Sequence, residues 1–281
     1  MSTGASIAAL APQHIRAIAP YPPGKPITAL AREMGLPVDS IVKLASNENP
    51  LGMSPKARAA TQAALDGLSR YPDQYELIQA LAERHGLDMA RIALGNGSND
   101  LLDSIARVFL GPGRSAVFSR HAFAVYPLAT QATGAECIEV AARAGDYGHG
   151  LEAMLLAIRP DTRIVWIANP NNPTGTFLPH EQLHVFLKVL PQHVVAVLDE
   201  AYNEYLPPAL AGEGTTLRWL GEFPNLLITR TFSKVYGLAG LRIGYGMASA
   251  EIIDLMNRVR QPFNVNNLAL VAARAALDDH L

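Results

Sequence analysis

The chain has 281 residues, of which 49% are hydrophobic and 17% charged, a composition that folds and does not resemble a disordered chain. Its 23 Lys and Arg against 25 Asp and Glu leave a net charge of −2. No global basic surplus therefore exists for a nucleic-acid backbone or an anionic membrane, and any anion site must be local. A single cysteine, Cys137, makes neither an internal disulfide nor a Cys-rich metal cage.

The first apolar run, around Ile7 to Leu10, is too short for a signal segment, and no apolar stretch reaches the roughly 20 residues that a bilayer requires. A cytoplasmic protein without a membrane span is expected. Residues 1–50 contain Pro20, Pro22, Pro23, Gly24, Pro26, Pro37 and Pro50, which predicts an extended arm packed against something else. From Pro55 onward the pattern becomes regular. Helices are predicted over residues 55–67, 74–85, 98–110, 121–133, 151–158 and 179–190. Short β-rich runs fall at 91–94, 115–119, 136–140, 163–168, 194–199, 226–230 and 243–247. Strands alternating with helices imply βαβ units. A run as apolar as VVAVL (194–198) implies strands buried on both faces, hence an α/β fold with a mainly parallel sheet flanked by helices.

In such sheets the ligand sits beyond the carboxyl ends of the strands. The segments in that position are GNGSND (95–100), NPNNPTG (169–175), Asp199 to Tyr202, and TFSK (231–234). By itself GNGSND reads first as a tight turn with a helix cap; its second reading is an anion nest, in which Gly95 and Gly97 permit close approach and Ser98 or Asn99 leaves amides free at a positive helix end. Asp199 closes a buried strand, where an unpaired charge costs several kcal/mol, so a cationic partner or a capping role is expected. Lys234 lies in a turn among Thr231, Phe232, Ser233 and Tyr236, where partial desolvation would free its amine to attack a carbonyl. Arg242 adds a planar cation suited to phosphate. A carboxylate for a pyridine nitrogen, an amine for an aldehyde and an anchor for a phosphate are together what pyridoxal phosphate requires of a protein. His121, His180, His184 and His193 lack metal-ligand spacing, and no metal is expected.

The segments KLASNENPLGMSP (43–55), RYPD (70–73), GNGSND, NPNNPTG, LDEAY (198–202), RTFSKVYGLAGLRIGY (230–245) and VRQPFNVNNLA (259–269) resemble the histidinol-phosphate aminotransferases, fold-type I pyridoxal-phosphate enzymes. The resemblance runs from about Ile15 to the end of the chain. It implies that Lys234 carries the cofactor aldehyde and shuttles a proton, that Asp199 pairs with the ring nitrogen, and that Tyr202 and Asn172 bond the phenolic oxygen. Phe123 falls where the family stacks an aromatic ring on the pyridine. Gly97, Ser98, Asn99, Thr231, Ser233 and Arg242 would surround the phosphate, joined by Tyr71 of a second subunit in a homodimer, while Tyr21 would cover the substrate beside Asn172. Where the family usually has GSDE, this chain has Ser98, Asn99 and Asp100, which alters a side chain and keeps the backbone donors.

The organisation expected is an arm (1–50), a cofactor-binding large domain (51–265) and the start of a C-terminal segment (266–281). The family continues into a small C-terminal domain with substrate-binding arginines, so a missing or truncated C-terminal domain is expected here. The implied reaction interconverts histidinol phosphate and 2-oxoglutarate with imidazole acetol phosphate and glutamate. An aromatic amino-acid aminotransferase, a phospho-amino-acid decarboxylase of the same fold, and a non-catalytic cofactor-binding or dimerisation module are the alternatives.

Overall fold

A computed structural model describes residues 6–211 and 215–279. The seven β-rich runs form one sheet from β1 (Ile92–Gly95), β2 (Ser115–Ser119), β3 (Glu136–Val140), β4 (Thr162–Ala168), β5 (Val195–Asp199), β6 (Leu226–Thr231) and β7 (Gly244–Met247). Their spatial order is β1-β7-β6-β5-β4-β2-β3. The β3, β2, β4, β5 and β6 strands are mutually parallel, whereas β7 runs antiparallel to both β6 and β1. The expected mainly parallel sheet is present, with one reversed strand.

Side chains alternate across this sheet with the period of two that a pleated strand imposes. Along β4, Ile164, Trp166 and Ala168 enter one core, and Val165 and Ile167 enter the other. Helices Ser98–Phe109, Val125–Ala132 and Ala250–Val259 cover the first face; Pro55–Ala63, Tyr75–His85, Leu151–Leu156, His180–Val189 and Asn267–Leu277 cover the second. Helix Ser98–Phe109 buries Leu101, Leu102, Ile105 and Ala106 along a single stripe, each large side chain contributing roughly 2 kcal/mol by leaving water. Helix Pro55–Ala63 starts where Ser54 accepts the Ala57 N–H and proline occupies the first turn, an arrangement that meets an orphan amide and loses none.

The structure departs from expectation in several places. The helix predicted over 121–133 begins only at Val125, because the Asn171 side chain donates to the His121 carbonyl at 2.8 Å and the first residues form a turn. The stretch 55–67 divides into a helix and a single 3-10 turn, Leu65–Gly67. Helix Ala250–Val259, capped by Ser249, had no counterpart in the predicted elements. Residues 6–50 contain a helix, Ile27–Met34, so they are less extended than their prolines suggest. Only Ala31 among them is buried, and Val42, Leu44 and the following Leu51 project into solvent.

Candidate active site

The ends of β1, β4, β5 and β6 and the start of β7 meet at one edge of the sheet around a cavity of about 140 Å³. Its walls carry Ser98, Asn99, Phe123, Asn172, Asp199, Tyr202, Thr231, Ser233, Lys234 and Arg242, with Ala168, Pro170 and Ala201 between them. Ten of the residues predicted from sequence are thus brought together.

One end of the cavity is built for an anion. Gly97 has φ +81° and caps helix Ser98–Phe109 through its backbone, with no side-chain cap, so the first amides of that helix remain available at its positive end. A Cβ on Gly97 would overlap the Arg242 guanidinium, and one on Gly244 would overlap the Ser98 nitrogen. Arg242, itself at φ +60°, is held by Nη1 bonds to Ser233 Oγ at 3.2 Å and the Ala239 carbonyl at 3.0 Å. Thr231 Oγ1 accepts the Ser233 N–H at 3.1 Å. Amides, hydroxyls and a guanidinium converge there, the donor set that a phosphate group takes.

The cavity is also lined by Asp199, buried at the end of β5. The cationic partner expected for it is absent, since no ion pair among the described residues includes Asp199. Its carboxylate instead accepts Tyr126 Oη at 3.0 Å and Thr229 Oγ1 at 3.1 Å. Burial pushes its pKa up to about 6 against the pull of those hydrogen bonds and of the Ala201 amide, with a smaller upward push from Glu200. The neighbouring Glu200 does have a cation: Arg230 Nη2 lies 2.8 Å from it.

Lys234 lines the same cavity and feels the charges of both Arg242 and Asp199. Its Nζ donates to the Ser46 carbonyl at 2.9 Å and stands 5.5 Å from the centre of the Tyr202 ring. Burial lowers the ammonium pKa, Glu48 and Asp199 oppose the shift, and Arg242 reinforces it. The arm closes over this region. Asn47 Nδ2 donates to Tyr202 Oη at 2.9 Å, and Asn49 Nδ2 donates to the Val235 carbonyl at 2.8 Å. In the NPNNPTG segment, Asn169 bridges the N–H and carbonyl of Leu178, at 2.7 and 3.0 Å, which leaves Asn172 to face the cavity.

Tyr71 and Tyr21 are not brought to this cavity by their own chain. Both are exposed, and Tyr71 stacks on Phe263 with ring centres 4.3 Å apart. Tyr126, Thr229, Ser46 and Asn47 are site residues that sequence reasoning missed. Tyr126 lies three residues after Phe123, a spacing equally typical of core, and Asn47 stands within the SNENP motif, which could have drawn notice.

The family model for aminotransferase class I and II matches residues 39–281. A histidinol-phosphate aminotransferase of Dechloromonas aromatica is 67% identical over 276 residues, covering 98% of this chain and 75% of the relative. Another, from Thiobacillus denitrificans, is 62% identical over 274 residues, covering 97% and 70%. The chain belongs to the class I and II aminotransferase family. Among solved structures of this family, the histidinol-phosphate aminotransferase of Sinorhizobium meliloti in complex with pyridoxal-5'-phosphate superposes with a TM-score of 0.81 at 32% identity, covering 95% of this chain and 70% of that one.

The aminotransferase site fits pyridoxal phosphate on its own chemistry. A lone buried carboxylate lacking a cation, an amine with lowered proton affinity and a cradle with no room for a Cβ flank one cavity.

Proposed function

We propose that this chain transaminates L-histidinol phosphate with 2-oxoglutarate, giving imidazole acetol phosphate and glutamate in histidine biosynthesis, as a cytoplasmic homodimer with pyridoxal phosphate as cofactor. The relatives at 67% and 62% identity carry the substrate assignment. The observation that carries the chemistry is the placement of Lys234 and Asp199 on the walls of a single cavity.

When bound, pyridoxal phosphate supplies an aldehyde that condenses with amines and an electron-poor ring that stabilises negative charge on the adjoining carbon. The protein's share is to bind, orient and move protons. Arg242, Ser233, Thr231 and the amides of Ser98 and Asn99 would hold the phosphate. Asp199, once ionised, would keep a proton on the ring nitrogen, and Phe123 would supply an aromatic face for the ring. Tyr202 and Asn172 would donate to the phenolic oxygen. Lys234 Nζ is the base that takes the proton from the substrate α-carbon and returns it; its burial raises the fraction of free amine at neutral pH. Tyr71, exposed in this chain, would reach the phosphate in the partner subunit, and Tyr21 in the arm (1–50) would cover substrate bound to the large domain (51–265). The absence of any helix among the described residues long and apolar enough to cross a membrane is compatible with the cytoplasmic assignment.

The test is spectroscopic and kinetic. Protein incubated with pyridoxal phosphate should absorb in the visible range, borohydride should fix the cofactor to the peptide containing Lys234, and glutamate should bleach the band. Lys234→Ala should lose both labelling and transamination, by at least about a thousandfold in rate. A colourless wild-type protein, or faster turnover of aromatic amino acids than of histidinol phosphate, contradicts the assignment.

A further inference from the structure

Tyr126 is fully buried, does not line the cavity, and among the described residues has one polar partner for its hydroxyl, Asp199 Oδ2 at 3.0 Å. Its ring cannot turn away. It lies parallel to the Trp166 indole, with centres 5.3 Å apart and planes 2° apart, and stands edge-on to Phe123 at 5.8 Å. Trp166 is fixed in turn, because its Nε1 donates to Thr130 Oγ1 at 3.2 Å and that hydroxyl donates to the Tyr126 carbonyl at 2.8 Å. Phenol, indole and threonine thus form a closed brace beneath the cavity floor.

This brace bears on the charge of Asp199. A buried carboxylate without a cation depends on hydrogen-bond donors to remain ionised. Asp199 has three, the Tyr126 and Thr229 hydroxyls and the Ala201 amide. Burial and the adjacent carboxylate push the Tyr126 pKa well above the ordinary phenol value, so its proton stays available for donation. The other titratable groups that act on Asp199 or feel its charge are Glu200, the next residue after the strand, Tyr202 just beyond it and Lys234 on the same cavity.

We propose that Tyr126 is a positioning residue that holds Asp199 ionised and aimed into the cavity, so that one rigid donor behind the carboxylate governs how strongly the site grips a protonated ring nitrogen. The link to a ring nitrogen rests on the pyridoxal-phosphate reading. The effect on Asp199 itself does not.

The substitution Tyr126→Phe keeps the ring and its stacking and deletes only the hydroxyl. In the apo protein, titration of the Asp199 carboxyl carbon by NMR, assigned by its loss in Asp199→Asn, should show a midpoint displaced upward in Tyr126→Phe; an unmoved midpoint overturns the proposal. Equilibrium binding of pyridoxal phosphate should weaken about tenfold or more in Tyr126→Phe, as expected for losing a hydrogen bond to a charged group. The same substitution placed in Asp199→Asn should change binding little. Equal losses in both backgrounds, or a lowered melting temperature with unchanged binding and titration, mean that Tyr126 is only a packing residue, and the proposal fails. If wild-type protein takes up no pyridoxal phosphate while the Asp199 midpoint still shifts, the holding of Asp199 by Tyr126 stands, and both the functional reading and the ring-nitrogen clause fall.

Discussion

Gly97 shows how a single missing side chain decides what the cavity accepts. Its φ of +81° and its closeness to Arg242 exclude a Cβ for two separate reasons, backbone strain and overlap with the guanidinium. Gly97→Ala should therefore displace Arg242 and weaken retention of pyridoxal phosphate by about tenfold or more, a loss that corresponds to the roughly 1–3 kcal/mol of such strain. Dialysis of the holoprotein followed by cofactor assay measures it; undiminished retention would mean that Arg242 does not anchor the phosphate. At this scale much of the site was legible beforehand. Asp199, Lys234 and Arg242 are polar residues placed where a buried strand or a glycine-rich turn ends, a position that periodicity alone reveals. Tyr126 and Asn47 were not, because their roles depend on contacts with Asp199 and Tyr202 across 73 and 155 positions of sequence, and local pattern carries no trace of such pairings.

Individual elements owe their placement to caps as much as to hydrophobic stripes. Helix Asn267–Leu277 opens at Asn266, whose Oδ1 accepts the Ala269 N–H at 2.8 Å while its Nδ2 donates to the Leu241 carbonyl at 3.0 Å. One side chain thus starts a helix and ties it to the residue preceding Arg242. Asn266→Ala should cost about 1–2 kcal/mol of unfolding free energy, the sum of a lost cap and a lost tether, measurable by urea titration of the apo protein. A change below a few tenths would show that water replaces both bonds. Strands were easier to foresee than helix starts. The runs that became β4 and β5 are apolar enough to identify themselves, whereas the turn at 121–124 exists because Asn171 captures the His121 carbonyl. The reversed direction of β7 was equally hidden, since alternation of side chains is the same whichever way a strand points.

The whole molecule carries the cost of keeping Asp199 buried without a cation. Its pKa is raised to about 6 from 3.8, so between those values the folded state binds more protons than the unfolded state, and stability declines as pH climbs through that window. The penalty is absent below pH 4, complete above pH 6, and on the order of 3 kcal/mol from a displacement of about two units. In apo protein, Asp199→Asn should be favoured relative to wild type progressively from pH 4 to pH 6, as followed by denaturant unfolding. A constant difference across that range would mean that Asp199 titrates normally. Pyridoxal phosphate should cancel the penalty in the wild type alone, because a protonated ring nitrogen gives the carboxylate the cation it lacks.

The reversed strand also sets a timetable. Among the described residues β1 has β7 as its one strand neighbour, with Gly95 opposite Gly244, although it leaves the ribosome about 150 residues earlier, on the order of ten seconds at ordinary rates of translation. Until β7 slots between β1 and β6, the amides after Gly97 and the guanidinium of Arg242 have no common frame. Between the making of β1 and the making of β7 a nascent chain consequently exposes an unpaired strand edge, and it acquires its grip on a phosphate only once β7 is in place, so loading with cofactor must follow translation of that strand instead of guiding the fold from the start.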